Sequence, residues 1–187
     1  MNKISIISSS IREERNSHRV AKYFDKYLNE NNIAIAEIVD LKPYDFPLFK
    51  NVLKSQRNPP ANAVVFAEKI KASNGIIIVL PEYNGGMPAS LKNAVDLLYD
   101  EWRHKPVGIV TVSSGPFAGT QALVSLQFSL WKMKAWTITE MFSVPNVTSA
   151  YDVDGNATDK VGTDILAAVF IKELQWCIRV DRYDFGK

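Results

Sequence analysis

The chain has 187 residues, of which 47% are hydrophobic, and this is enough for one compact core; we therefore expect a single domain over residues 1–187. Its 22 basic and 20 acidic residues leave a net charge of +2 without an extended basic stripe, so nucleic acid is not an expected partner. The single cysteine, Cys177, excludes an internal disulfide and is predicted to be a buried thiol in an apolar helix. With two histidines and no Cys/His cluster, the sequence predicts no metal site.

The sequence gives no sign of a membrane or secretory segment. Its first residues, MNK, lead directly into an apolar strand that is too short for the core of a secretory signal. No segment approaches the roughly 18 consecutive apolar residues that a membrane-spanning helix requires. We therefore expect no membrane partner and a cytoplasmic location.

Apolar runs of strand length alternate along the chain with segments whose apolar residues recur at helical spacing. The predicted strands are 3–8, 33–39, 75–80, 106–112 and 135–142. The helices that follow them are predicted from these residues: Val20, Phe24 and Leu28; Ala63 to Ala72; Leu91, Ala94, Val95 and Leu98; Ala122, Leu123, Leu126 and Leu130; and Ile165, Leu166, Val169, Phe170 and Leu174. This alternation predicts an α/β fold with a doubly wound parallel sheet, because parallel strands need crossover connections.

Ligands of such sheets bind beyond the carboxyl ends of the strands, which directs attention to the loops after the first, third and fourth strands. The first loop, SSSIREERNSHRVA, places small hydroxyl residues before a helix whose first residues, Asn16 and Ser17, are candidate caps. With Arg12 and Arg15 nearby, this pattern favours a phosphate. The alternative is a simple helix cap beside two solvated arginines. The loop carries neither the dinucleotide-binding glycine fingerprint nor the P-loop fingerprint.

The second loop lies within PEYNGGMPASLKNAVD, residues 81–96. Gly85 and Gly86 permit positive φ or close approach, and Pro88 suits the first turn of a helix. Together with one aromatic and one amide side chain, these features favour contact with the edge of a flat polar ring. The alternative is a tight turn between strand and helix. The third loop, within VSSGPFAGTQA, brings more serine and glycine residues to the same edge of the sheet.

The second loop and its helix read P-E-Y-N-G-x-x-P-x-x-L-K-N-A-x-D, and with this motif the sequence resembles the NADPH-dependent FMN reductase family of flavodoxin-like proteins. That family includes quinone, azo and chromate reductases, and the resemblance spans nearly the whole chain. It implies a five-stranded parallel sheet in the order 2-1-3-4-5 with helices on both faces. It also implies FMN as cofactor, NADPH or NADH as electron donor, and a homodimer or homotetramer with Trp102 as an interface candidate.

The resemblance also assigns cofactor-binding residues. The phosphate loop corresponds to Ser10, Arg12, Asn16 and Ser17; the loop at the flavin edge to Pro81, Glu82, Tyr83, Asn84 and Gly85; and the third loop to Ser113, Ser114 and Gly115. Glu82 is either a carboxylate near the flavin or a partner for backbone donors in its own turn. Two departures from the family pattern bear on flavin binding: Ser9 replaces a glycine, and Pro116 stands in a loop that usually has more glycines. We expect these departures to lower flavin affinity without abolishing the site.

The activity that the resemblance implies is a ping-pong transfer of hydride from the nicotinamide to FMN and then to a small acceptor. Quinones, free flavins, azo compounds and metal oxyanions are all acceptors of this class. The cofactor carries this chemistry, so no catalytic acid or base is assigned. The alternatives are a flavodoxin-type electron carrier, which the net charge of +2 disfavours, and a redox-dependent flavin-binding regulatory module.

Overall fold

A computed structural model describes residues 1–182 of the chain. The strands are β1 (Lys3–Ser8), β2 (Ile35–Asp40), β3 (Gly75–Pro81), β4 (Pro106–Val112), β5 (Trp136–Thr137) and β6 (Phe142–Val144). The α-helices are α1 (Ser17–Glu30), α2 (Ala61–Ala72), α3 (Ala89–Leu97), α4 (Thr120–Lys132), α5 (Val147–Ala150) and α6 (Lys160–Arg182), and 3₁₀ turns cover Leu53–Ser55 and Asp100–Trp102.

All the paired strands of the sheet are parallel, and their order is β2-β1-β3-β4-β5, with β6 also beside β4. This confirms the doubly wound sheet that the residue pattern predicted and the strand order that the resemblance implied. Every residue of β3 and of β4 is buried, as expected for central strands that are covered on both faces. The order changes direction at β1 and β3, so a crevice forms where their carboxyl ends diverge.

The fifth position of the sheet is divided between two short strands, which corrects the continuous strand predicted over 135–142. Thr137 pairs with Val107, and Phe142 pairs with Val110. Between these two pairs the segment that contains β5 and β6 advances five residues, while β4 advances three. The two additional residues interrupt the ladder, and Glu140 and Met141 in this interval are exposed. Glu140, the charged residue inside the predicted strand, marks this interruption.

The two faces of the sheet carry separate apolar cores. One contains residues of α2, α3 and α4 with Ile76, Ile78 and Leu80, and the other contains residues of α1 and α6 with Ile77 and Val79. Alternate side chains of β3 therefore enter opposite cores, which is the two-residue period of a strand. Helices on both faces of the sheet are thereby confirmed.

The buried face of α6 differs from the one that the sequence predicted. Phe170 and Leu174 are buried, but Ile165, Leu166 and Val169 are exposed. The helix buries another set instead: Ala167, Phe170, Ile171, Leu174, Cys177 and Ile178. Apolar residues occur all around this helix, so periodicity alone did not distinguish its two faces.

No helix in the part of the chain that the structure describes is both long enough and apolar enough to cross a membrane.

Candidate functional site

The loops after β1, β3 and β4 meet in one cleft at the carboxyl edge of the sheet. This cleft contains a cavity of about 200 Å³, and nine of the twelve predicted cofactor-binding residues line it. They are Ser10, Arg12, Asn16, Ser17, Pro81, Glu82, Tyr83, Ser113 and Ser114. The other three, Asn84, Gly85 and Gly115, belong to the same loops but do not line this cavity.

Three consecutive buried serines at the end of β1 attach this strand to three different elements. The Ser8 hydroxyl lies 2.9 Å from His18 Nδ1 on α1, and the Ser9 hydroxyl donates to the Val79 carbonyl oxygen on β3 at 2.6 Å. The Ser10 hydroxyl lies 2.5 Å from the Tyr83 hydroxyl on the next loop. Ser9, which replaces the family's glycine, therefore directs its side chain to the neighbouring strand and away from the cavity.

Arg15 does not serve as the free cation that the sequence suggested. Two of its guanidinium nitrogens bind the two carboxylate oxygens of Asp40, at the end of β2, and one also donates to the Ser10 carbonyl oxygen at 3.0 Å. Burial favours a higher pKa for Asp40, but hydrogen bonds from Arg15 and from the Lys42 backbone N–H hold the pKa below its usual value. The positive charge of Arg15 is thus already paired, and its role is to fix the phosphate loop.

Arg12 is the cation that remains available in the cleft. It is exposed and forms no ion pair among the described residues, and its guanidinium carbon lies 5.7 Å from the centre of the Tyr83 ring. Asn16 occupies the N-cap position of α1, but its side chain makes no capping hydrogen bond. The N–H groups of His18 and Arg19 already donate to the carbonyl oxygens of Arg15 and Asn16, at 3.2 and 3.0 Å. It is therefore the start of this terminus, at Asn16 and Ser17, that can receive an anion beside Arg12.

Two other charged or titratable groups affect this end of the cleft. The carboxylate-bearing Glu14 also lines the cavity, so it opposes part of the positive field of Arg12. Burial, and then the nearby charge of Arg15, lower the pKa of His18, so this imidazole does not add a positive charge near pH 7.

The loop after β3 is a two-residue hairpin turn. The Tyr83 N–H donates to the Gly86 carbonyl oxygen at 2.9 Å, and the Gly86 N–H donates to the Tyr83 carbonyl oxygen at 3.0 Å. The intervening residues, Asn84 and Gly85, have φ values of 51° and 76°. Positive φ at both central positions defines a type I′ turn, for which Asn-Gly is a favoured sequence. The tight-turn interpretation therefore accounts for Asn84 and Gly85, while Tyr83 and Glu82 reach the cleft.

Glu82 lines the cleft, but the backbone donors that it satisfies are not those of its own turn. Its carboxylate accepts hydrogen bonds from the backbone N–H groups of Gln121 at 2.9 Å and Ala122 at 3.3 Å. These groups lie in the first turn of α4, where a negative charge is stabilised by the helix dipole. Glu82 thus connects the second loop to the third.

The loop after β4 is connected to the segment that follows β6. The Ser113 hydroxyl donates to the Gly115 carbonyl oxygen at 2.8 Å, and the Asn146 N–H donates to the same oxygen at 3.0 Å. A Cβ atom added to Gly115 would meet no heavy atom within 4 Å. The backbone at Gly115 therefore faces open space.

Sequence reasoning missed three residues that line the cavity: Glu14, Val112 and Val147. Val112 ends β4, and its position at the carboxyl edge was a usable signal. Val147 is the first residue of α5, and nothing in its local sequence marks it. Within residues 1–182, no three His, Cys, Asp or Glu side chains are grouped as a metal site would require.

The residues of the cleft fit a flavin mononucleotide. Arg12 and the uncapped α1 terminus suit a phosphate, and the hairpin turn and the open backbone at Gly115 suit a flat ring. A model of the NADPH-dependent FMN reductase family matches residues 2–149, and the chain belongs to this family. It is accordingly an FMN-dependent NAD(P)H oxidoreductase.

Individual relatives agree with this assignment. Over 138 residues the chain is 33% identical to an NAD(P)H-dependent FMN reductase of Nectria sp., covering 70% of this chain and 68% of the relative. Over 164 residues it is 29% identical to a quinone reductase of Pseudomonas putida, covering 84% and 85%. The solved structure of a flavoenzyme NAD(P)H:acceptor oxidoreductase from Paracoccus denitrificans superposes with a TM-score of 0.74 at 23% identity, covering 96% of this chain and 98% of that one, which shows the shared fold.

Proposed function

We propose that the cleft binds FMN, with its phosphate between Arg12 and the N-terminus of α1 and its ring system against the loops after β3 and β4. The observation that carries this proposal is the convergence of nine predicted residues, from three separate loops, on one cavity. The charges support the orientation, because Arg12 lies at the α1 end of the cleft while the carboxylate of Glu82 is bound to α4. The remaining predicted residues, Asn84, Gly85 and Gly115, would act through the backbone conformation of the loops after β3 and β4.

The proposed reaction is ping-pong: bound FMN would supply the group that accepts a hydride from NADPH or NADH and then reduces an acceptor that replaces the nicotinamide. The carboxylates that line the described cleft are Glu14 and Glu82, and Glu82 is occupied by two backbone donors. Hydride transfer to a flavin needs no side-chain acid or base, so the work of these residues is binding and orientation.

We propose that the acceptor is a small molecule, of which a quinone is the first candidate. The similarity to the Pseudomonas putida quinone reductase supports this class. Ile11 and Phe117, on the loops after β1 and β4, are exposed apolar side chains that suit a planar apolar acceptor. Free flavins, azo compounds and metal oxyanions are the other acceptors to be tested. A cytoplasmic location stays a prediction from the sequence.

We also propose that the protein forms a homodimer or homotetramer. Trp102 is not part of the interface, because its side chain is fully buried and its indole N–H donates to the Val95 carbonyl oxygen at 3.1 Å. Two other helix faces are better candidates, since each presents exposed apolar residues at helical spacing: Val124, Phe128 and Trp131 on α4, and Ile165, Leu166, Val169 and Trp176 on α6. Light scattering of the wild type and of Trp131→Glu tests the α4 face.

The first test is a visible spectrum of the protein after incubation with FMN and desalting, followed by anaerobic addition of NADPH. We expect retained yellow colour that bleaches with NADPH. Retained flavin that does not bleach would support an electron carrier instead, and no retained flavin would contradict the proposed cofactor site.

The phosphate assignment is tested by Arg12→Ala. We expect FMN to bind roughly 10- to 100-fold more weakly, because one hydrogen bond to a charged group is lost. The matched control is Arg103→Ala, which removes an exposed arginine that precedes β4 at the opposite edge of the sheet. Unchanged FMN affinity in Arg12→Ala would remove Arg12 from the site.

A further inference from the structure

The side chain of Tyr83 connects the first two loops of the cleft. Its hydroxyl oxygen lies 2.5 Å from Ser10 Oγ, and the guanidinium of Arg12 lies over its ring. Tyr83 is partly exposed in the cavity wall, whereas only 1% of the surface of Ser10 is exposed. A ligand in the cleft therefore meets the tyrosine hydroxyl more readily than the serine hydroxyl.

The hydrogen-bond partners of Ser10 indicate which hydroxyl donates. Ser10 Oγ accepts a long hydrogen bond of 3.4 Å from the Arg12 backbone N–H, so its own proton needs an acceptor. The Tyr83 oxygen is in a position to accept it, and a buried hydroxyl proton without an acceptor is costly. We therefore take Ser10 as the donor and Tyr83 as the acceptor, an arrangement that leaves the Tyr83 proton free to point into the cleft.

We propose that Tyr83 donates its hydroxyl proton to the phosphate of FMN and thereby distinguishes FMN from riboflavin. This inference rests on the proposed function, in which the cleft binds FMN. Ser10 is then a positioning residue that orients the Tyr83 hydroxyl, and the Tyr83 ring holds Arg12 beside the same phosphate. Tyr83, in the loop after β3, would thus contact the phosphate end of the cofactor as well.

The test compares FMN and riboflavin, because riboflavin carries the same ring and ribityl chain without the phosphate. Dissociation constants are measured by quenching of flavin fluorescence as the apoprotein is titrated in. In Tyr83→Phe, which keeps the ring under Arg12, we expect FMN to bind roughly 10- to 100-fold more weakly and riboflavin to bind as it does to the wild type. Tyr99→Phe is the matched control, since it removes the hydroxyl of an exposed tyrosine outside the cleft.

Ser10→Ala and the double variant test the positioning role. If Ser10 acts through Tyr83, Ser10→Ala weakens FMN binding, and the double variant binds no more weakly than Tyr83→Phe alone. Losses that add would mean that Ser10 contacts the phosphate directly and would overturn its positioning role.

Two results in Tyr83→Phe overturn the inference while leaving the proposed function intact. One is unchanged FMN affinity. The other is an equal loss for FMN and riboflavin, which would mean that Tyr83 acts through the hairpin turn. A wild-type protein that binds neither flavin would overturn the proposed function itself.

Discussion

The loop after β1 and the loops after β3 and β4 form one cleft, but they are held in shape by different physical means. In the first loop, side-chain hydrogen bonds fix the backbone: Ser8, Ser9 and Ser10 each bond to another element, and Arg15 joins the loop to Asp40. The other two loops also contain side-chain hydrogen bonds, from Glu82 and Ser113, but they depend in addition on positive φ at Asn84, Gly85, Ala118 and Gly119.

This difference determines which substitutions each part of the cleft tolerates. Where side chains hold the loop, loss of a polar group leaves its buried partner unsatisfied. Where backbone conformation holds the loop, replacing a glycine is costly because a residue with a Cβ atom is strained in the left-handed region. The chemistry of the new side chain matters less.

The largest effect on stability is expected at Arg15. Replacing Arg15 by Met leaves the carboxylate of Asp40 without its ion-pair partner, in a position where the two side chains are only 13% and 22% exposed. We expect the free energy of unfolding to fall by about 2 kcal/mol, between the values for exposed and for buried pairs. Urea denaturation of the apoprotein measures this change.

The control for Arg15 is the exposed pair between Lys92 and Asp96 on α3, whose side chains are 49% and 31% exposed. Lys92→Met is expected to change the free energy of unfolding by less than about 0.5 kcal/mol. Equal effects at Arg15 and Lys92 would show that side-chain bonds do not hold the first loop.

The hairpin turn provides the corresponding test of a loop held by its backbone. Gly85 has a φ of 76°, and a Cβ atom there would lie 2.9 Å from Gln121 Oε1, so Gly85→Ala is expected to lower the free energy of unfolding by about 1–2 kcal/mol. At Gly86, where φ is ordinary, the nearest atom to an added Cβ is the Tyr83 carbonyl oxygen at 3.8 Å. Gly86→Ala is therefore expected to stay within about 0.5 kcal/mol of wild type in thermal unfolding. A larger loss at Gly86 would contradict the turn geometry.

Ala118 should respond in the opposite direction. It has a φ of 54°, which an alanine adopts at a cost, so Ala118→Gly relieves strain while adding entropy to the unfolded chain. We expect a net gain of about 0.5 kcal/mol in the free energy of unfolding. The control is Ala122→Gly, the same exchange at a buried position of α4, which is expected to destabilise by about 1 kcal/mol. Loss of stability in both variants would show that Ala118 is not strained.

The two kinds of loop also differ in how much of them can be predicted from sequence. The Asn-Gly pair is a local signal for a type I′ turn, and a run of small residues at a strand end indicates an anion site. By contrast, the pairing of Arg15 with Asp40 joins the loop before α1 to the end of β2, over a separation of 25 residues, and the cap that Glu82 provides for α4 spans 39. Charge and residue type were visible in the sequence, but the partners depend on the folded sheet.

The errors in the fold prediction have a similar origin. The alternation of strands and helices follows from apolar periodicity, which the core enforces, whereas the strand order came from the resemblance to the family. The break near Glu140 and the outward face of Ile165 and Val169 depend on what lies beside the fifth strand and α6, and a local pattern does not contain that information.

Gly115→Ala is the variant that best distinguishes an effect on FMN binding from an effect on folding, because it is expected to leave stability unchanged. An added Cβ there meets nothing within 4 Å and φ is not in the left-handed region, so Gly115→Ala should unfold within about 0.3 kcal/mol of wild type. If the flavin ring lies against this backbone, the methyl group occupies the space of the ligand, and FMN affinity falls while the fold persists. Gly119→Ala is the contrasting variant: its φ is 71° and its Cβ would lie 3.0 Å from the Val112 carbonyl oxygen, so stability itself falls. Full FMN affinity in a stably folded Gly115→Ala protein would place the ring elsewhere and would leave the third loop with a structural role only.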